Sequence, residues 1–147
     1  MARYQRPPWI VQHVLNPFIS FLAGRLGLDM RGAWVLTVRG RRSGQPRSVP
    51  VNPLDLNGAR YLVAPRGTTE WVRNLRAAGS GTLRKGKTTV TFRAEEIPDD
   101  QKPPILREYL RRWGDQVKGQ FAVSGPDAPD EDLRRIAPDH PIFRIYS

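Results

Sequence analysis

Apolar residues recur at helical spacing near the start of the chain, at Val11, Val14, Leu15, Phe18, Phe21, Leu22 and Leu26. Asn16-Pro17 divides this run, because asparagine caps a helix well and proline suits its first position. The pattern predicts a short helix over 9–15 and a second over 17–26, stopped by Gly27. Gln12, His13, Asn16, Pro17 and Ser20 keep the apolar run below the ~20 residues a membrane span needs. No small-residue cleavage site follows it, so a cleavable signal is not expected. Beyond Gly32 the period changes from helical to alternating. Ala33–Arg39 predicts a strand, and Arg47–Leu56 a second extended stretch whose Pro50 and Pro53 suit an edge or a bulge. Asn57-Gly58 is a strong hairpin signal leading into Tyr61–Ala64. Thr69–Ala78 has helical composition, with Thr68 or Thr69 as cap and Gly79 as stop. Thr82–Arg84 and Lys87–Ala94 form a hairpin around Lys85-Gly86. A helix over Asp100–Trp113, a Gly/Pro/Asp-rich loop at 124–130, a short helix over 130–136 and a strand over Pro141–Tyr146 complete the series. Six strands with flanking helices predict an α+β fold, a small closed or split β-barrel in a single domain over 1–147. Residues 1–28 form its amphipathic N-terminal segment and 33–147 the barrel.

Composition narrows the chemistry. The chain of 147 residues has no cysteine, which removes disulfides, thiolate metal sites and a cysteine nucleophile. Its two histidines, His13 and His140, lie far apart in sequence, so no histidine-rich zinc site is expected. The net charge is +10, and it is unevenly placed: residues 1–94 carry +13 and residues 95–147 carry −3. Arginine outnumbers lysine 20 to 4, which supplies planar groups suited to phosphate and carboxylate. Charge alone does not choose among nucleic acid, an anionic membrane and an anionic small molecule. Nucleic acid fits worst, since the basic residues lack an interleaved stacking motif and the C-terminal third is acidic. The N-terminal segment, flanked by Arg3, Arg6, Arg25 and Arg31, has two readings: a helix covering the core, or one resting on an anionic membrane surface.

Two motifs compete for attention. Gly81-Thr82-Leu83-Arg84-Lys85-Gly86-Lys87-Thr88 satisfies the G-x-x-x-x-G-K-[ST] phosphate-loop expression. That loop needs a helix after it, and the alternating β-branched residues from Thr88 predict a strand instead. Arg39-Gly40-Arg41-Arg42-Ser43-Gly44-Gln45-Pro46-Arg47 is more informative. It places four arginines in nine residues, around a glycine turn whose backbone can converge on an anion. There is no G-x-S-x-G elbow, and no nucleophile stands beside His140 in sequence, so a hydrolase is not expected.

The string from Gly40 to Pro50 resembles the signature of the deazaflavin-dependent nitroreductase family, actinobacterial split-barrel oxidoreductases that use coenzyme F420. Ala64-Pro65-Arg66-Gly67 with Trp71-Val72-Arg73-Asn74-Leu75 is similar to a second family segment. His140-Pro141-Ile142-Phe143-Arg144-Ile145 is similar to its closing strand. The resemblance covers about residues 10–147. It implies a deazaflavin cofactor with an apolar ring, a phosphate and an oligoglutamate tail. On this likeness Arg42, Arg47 and Arg66 would meet the phosphate and tail, and Ser43, Gly44 and Gln45 would supply turn donors. Val49, Pro50 and Asn52, with Ala64 and Pro65, would border the ring, Gly67 would belong to the cofactor site as well, and Trp71 and Asn74 would close the pocket. For Trp71 the alternative is packing on the barrel, and for Asn74 an exposed or capping amide.

The implied reaction is hydride transfer from the reduced deazaflavin to a hydrophobic, electron-poor acceptor such as a quinone. The cofactor carries that chemistry, so no catalytic side chain is required. Tyr61, Tyr109 or a water could donate a proton. Residues 119–125 offer Phe121 and Ser124 where nitro-reducing members carry tyrosines. Pro65 replaces a small hydroxyl residue, and the stretch from Gly67 to Trp71 is shorter; all three departures argue against reduction of nitro compounds. One branch of the family holds fatty acids at the membrane, which gives the alternative of a lipid-binding member without redox activity. The expected location is the cytoplasm, with the inner membrane face as the alternative, and the resemblance leaves monomer and homodimer open.

Overall fold

The computed structural model describes residues 33–115, 117 and 119–147. The two helices expected over 9–15 and 17–26, and with them the membrane reading of that segment, lie outside the described residues. Seven strands form one antiparallel sheet: β1 (Trp34–Arg39), β2 (Pro46–Val51), β3 (Leu54–Leu56), β4 (Ala59–Val63), β5 (Ser80–Lys85), β6 (Thr88–Glu96) and β7 (Ile142–Tyr146). Their order across the sheet is β2-β1-β5-β6-β7-β4-β3. Three α-helices accompany them among the described residues: α1 (Glu70–Ala78), α2 (Pro103–Trp113) and α3 (Asp130–Ile136).

The expected count of six strands is corrected to seven. The extended stretch at Arg47–Leu56 is two strands, and they sit at opposite edges of the sheet. Only Asn52 and Pro53 separate them. Three residue steps span at most ~11 Å, so the sheet curls until its edges approach each other. Proline at 50 and 53 suits these edges, since it has no N–H to offer a further strand. The Arg60 guanidinium of β4 lies 5.2 Å from the centre of the Trp34 ring of β1, across the inner face of the curl. This curled α+β architecture is consistent with the expected split barrel.

Period-two alternation sorts the side chains onto two faces. Leu36 and Val38 of β1, Leu62 of β4, Leu83 of β5, Phe92 of β6 and Phe143 of β7 pack together on the inner face. Val72 and Leu75 of α1 plug into this cluster. Leu54, Val63 and Ile142 look the other way, onto Ile105, Leu106, Tyr109 and Leu110 of α2 and Leu133 and Ile136 of α3.

The local signals behave as their chemistry requires. Asn57 and Gly58 both take positive φ (52° and 79°), the geometry of a tight hairpin that suits these two residues. Gly79 ends α1 at φ 72°, its N–H donating to the Leu75 carbonyl at 2.8 Å. The phosphate-loop look-alike is the β5–β6 hairpin, with Lys85 opposite Thr88 and no helix behind it.

Candidate functional site

The β1–β2 connection is a compact turn built on its own backbone. The Gly40 N–H donates to the Gln45 carbonyl at 2.8 Å, and the Gly44 N–H to the Gly40 carbonyl at 2.9 Å. The Gln45 N–H donates to Ser43 Oγ at 3.1 Å. A Cβ on Gly40 would come within 2.9 Å of Ser43 Oγ and 3.1 Å of the Gln45 carbonyl, so a larger residue there would push on the turn. Arg41 fastens this turn to α1. Asn74 Oδ1 accepts from the Arg41 backbone N–H at 3.1 Å and from its Nη1 at 2.8 Å. Arg41 Nη1 also pairs with Glu70 Oε2 at 2.5 Å. That hydrogen bond holds the Glu70 carboxyl below its ordinary value, with the charges of Arg41 and Arg73 adding to it, so Glu70 stays ionised.

Between this turn with β2 on one side and residues 65–74 on the other lies a cleft of about 830 Å3, a size usual for small-molecule sites. Of the residues singled out from sequence, Arg42, Ser43, Arg47, Val49, Pro50, Pro65, Arg66, Trp71 and Asn74 line it. Its lining combines apolar side chains, Val38, Val49, Pro50, Pro65 and Trp71, with the basic Arg41, Arg42, Arg47 and Arg66. Arg60, Arg76, Arg107 and Arg112 each pair with a carboxylate. Among the described residues Arg42, Arg47 and Arg66 have no such partner; Arg47 Nη2 reaches only Ser43 Oγ, at 3.5 Å. Cations left unneutralised around one concavity favour an anion there.

Five of the expected residues lie outside the cleft lining. The Gly44 and Gln45 N–H groups both donate within the turn itself. Asn52 follows the edge strand β2. Ala64 is buried behind the wall, its N–H bonded to the Pro141 carbonyl at 2.9 Å. Gly67 closes a turn onto the Ala64 carbonyl at φ 82° and supports the wall from behind. Tyr61 and Tyr109, the expected proton donors, pack on the outer face with α2. Burial there pushes the Tyr109 hydroxyl up to about 12. Neither lines the cleft.

For two residues the alternatives resolve. Trp71 both lines the cleft and packs on the barrel, its ring 6.1 Å from that of Phe143. Asn74 is buried rather than exposed, because its amide is the anchor for Arg41. The lining also includes Arg41, Thr69, Glu70 and Gln120, which sequence reasoning did not select. Arg41 lay inside the arginine motif, but its tether to α1 is a long-range contact with no local signal. Thr69 caps α1 without a side-chain cap bond, and its buried Oγ1 has no hydrogen-bond partner. Gln120 sits beside Phe121, which stands where nitro-reducing members carry tyrosines and here stacks on His140 at 4.1 Å.

Comparison with known proteins gives this arrangement a context. Residues 16–124 match the family model described as F420H(2)-dependent quinone reductase, which spans most of the chain. The chain belongs to that family. The F420H2-dependent quinone reductases take reduced coenzyme F420 as cofactor, and the chain is accordingly an F420-dependent reductase. Solved structures share the fold. An F420-H2-dependent reductase, FDR-A, is 20% identical with a TM-score of 0.50, covering 79% of this chain and 95% of its own. A protein described as a domain-swapped dimer is 17% identical with a TM-score of 0.53, covering 96% of this chain and all (100%) of its own. Atu2129 of Agrobacterium tumefaciens is 19% identical with a TM-score of 0.57, covering 99% of this chain and 59% of its own. No curated protein matches. Among the described residues, no helix is long and apolar enough to cross a membrane.

The cleft's residues suit the family's cofactor. Its basic residues match a phosphate and carboxylates, its apolar residues match a ring, and Thr69 Oγ1, without a hydrogen-bond partner among the described residues, offers a further polar contact.

Proposed function

We propose that this reductase passes a hydride to a quinone-like acceptor, with F420 seated in the cleft between the arginine turn and α1. The observation that carries this is the set of three arginines, Arg42, Arg47 and Arg66, that have no carboxylate ion pair among the described residues and line one cleft with Val49, Pro50 and Pro65. When bound, reduced F420 supplies the hydride from its deazaflavin ring. Arg42, Arg47 and Arg66 hold the phosphate and the glutamate carboxylates through charge-assisted hydrogen bonds, with Ser43 Oγ beside them. Val38, Val49, Pro50 and Pro65 border the ring and exclude water from it, and Trp71 shuts the side nearest α1. Arg41 is committed to Asn74 and Glu70, so its part is to keep the turn against α1. Within the cleft Glu70 is the acidic group, and its pairing with Arg41 offsets its repulsion of a polyanion. No protein acid or base is assigned, since the cofactor does the bond making and the protein orients it.

A quinone-like acceptor is what the family description names, and it would share the cleft's apolar residues with the ring. Steady-state oxidation of F420H2 in the presence of a soluble quinone tests this. Turnover with the quinone that exceeds turnover with a nitroaromatic supports the reading. Co-purification of an acyl chain together with no turnover would move the chain to the lipid-binding alternative.

A further inference from the structure

His140 does not line the cleft, yet two segments that do, Pro65–Arg66 and Gln120, adjoin residues in contact with it. It is 5% exposed. Its Nδ1 lies 3.0 Å from the Ala64 carbonyl, and because a carbonyl can only accept, Nδ1 carries the proton. Ala64 directly precedes Pro65 and Arg66, which form one wall. The next residue of the His140 strand entry, Pro141, accepts the Ala64 N–H at 2.9 Å, and a Cβ on Gly67 would stand 3.1 Å from the Asp139 carbonyl. The 64–67 turn is therefore seated on residues 139–141. The other face of the same imidazole stacks on Phe121, with centroids 4.1 Å apart and planes 25° from parallel. Phe121 is buried and directly follows Gln120, which reaches the cleft.

We propose that His140 is a positioning residue that fixes the Pro65–Arg66 wall and the Gln120 segment relative to each other, and so sets the fit of cofactor and acceptor between them. This rests on the cleft being the F420 site. The two contacts are chemically separable. The bond from Nδ1 controls the Arg66 side, where the anionic part of the cofactor is held. The ring stack controls the Gln120 side, which borders the remaining space for the acceptor. Burial keeps the imidazole neutral at pH 7, with Asp139 raising and Lys102 lowering its proton affinity, so both contacts belong to one uncharged form.

His140→Asn preserves a donor near the Nδ1 position and removes the ring; His140→Phe preserves the ring and removes the donor. F420 affinity by fluorescence titration, quinone KM and kcat, and hydrogen exchange of the ligand-free protein are measured for both. His140→Phe is expected to weaken F420 binding roughly tenfold and to speed exchange at the Gly67 amide, the size expected for one lost buried hydrogen bond. His140→Asn is expected to restore F420 affinity to near that of the unaltered protein while raising quinone KM several-fold and speeding exchange at the Gln120 amide. Variants that lose thermal stability together, with F420 affinity, quinone KM and both amides moving in parallel or not at all, would overturn the proposal. Should the unaltered protein fail to bind F420, the site assignment falls. The exchange pattern then still decides whether His140 holds the two walls separately.

Discussion

At the scale of single residues, Asn74 carries more than its place in a helix announces. It accepts two hydrogen bonds from Arg41, one from the backbone and one from the side chain, and thereby fixes the arginine turn to α1. Asn74→Ala leaves a part-buried N–H without its acceptor, which costs about 1–3 kcal/mol of stability. Asn74→Asp keeps the acceptor beside Arg41 and retains most of that stability, but it adds a negative charge to the cleft. Chemical denaturation and F420 titration separate the two: alanine lowers both stability and affinity, whereas aspartate lowers chiefly affinity. His140 makes a prediction of a different kind. Burial, opposed by its bond to the Ala64 carbonyl, lowers its pKa from the ordinary 6.5. The unfolded chain then binds the proton more readily than the native one, so stability is complete above pH 6.5 and falls as pH drops toward the depressed native value. Asp55, Glu70 and Glu108 have lowered pKa values for the opposite reason, arginine hydrogen bonds to the charged form, and their stabilisation is lost only in more acidic solution. Thermal melts between pH 5 and pH 7 should therefore slope upward with pH (the window in which histidines titrate), and His140→Asn should flatten part of that slope.

At the scale of elements, α1 joins the core to the site. Val72 and Leu75 are buried in the inner cluster, while Glu70, Trp71 and Asn74 face the cleft. Leu75→Ala removes a fully buried side chain and is expected to cost about 2–5 kcal/mol. Because the helix also anchors Arg41, F420 affinity should fall further than the loss of folded protein explains; denaturant unfolding read beside titration measures both. Most elements were legible because their signals are local. The Asn57-Gly58 turn, the Gly79 stop and the alternation in β6 each depend on residues within a few positions. The division of Arg47–Leu56 was not legible, because one proline-punctuated extended run looks like an irregular strand whichever sheet edges its halves join. What separates β2 from β3 is their pairing with β1 and β4, a tertiary fact. The cleft follows the same rule. Residues in the contiguous motifs at 42–50 and 65–74 were mostly found, whereas Thr69 fell between motif positions and Gln120 lies in a stretch with no periodicity. For Gly44 and Gln45, sequence shows that a turn has donors, whereas only the fold shows that the turn itself uses them.

At the scale of the whole molecule, the net charge of +10 resolves into paired and unpaired parts. Arg60, Arg76, Arg107 and Arg112 are neutralised by carboxylates along the barrel and α2. Arg42, Arg47 and Arg66, without a carboxylate ion pair among the described residues, line one cleft together with apolar side chains. That distribution, more than the total, argues for a single small polyanion over an extended nucleic acid surface. The measurement closest to the central claim is a fluorescence titration of F420 into the unaltered protein and into the double variant Arg42→Ala/Arg47→Ala, with FMN and a fatty acid as controls. Each charge-assisted bond is worth about 1.5–3 kcal/mol, so the double variant should bind at least about a hundredfold more weakly while its melting temperature is unchanged. Equal affinity in the two proteins, or preference for FMN or the fatty acid over F420, would contradict it.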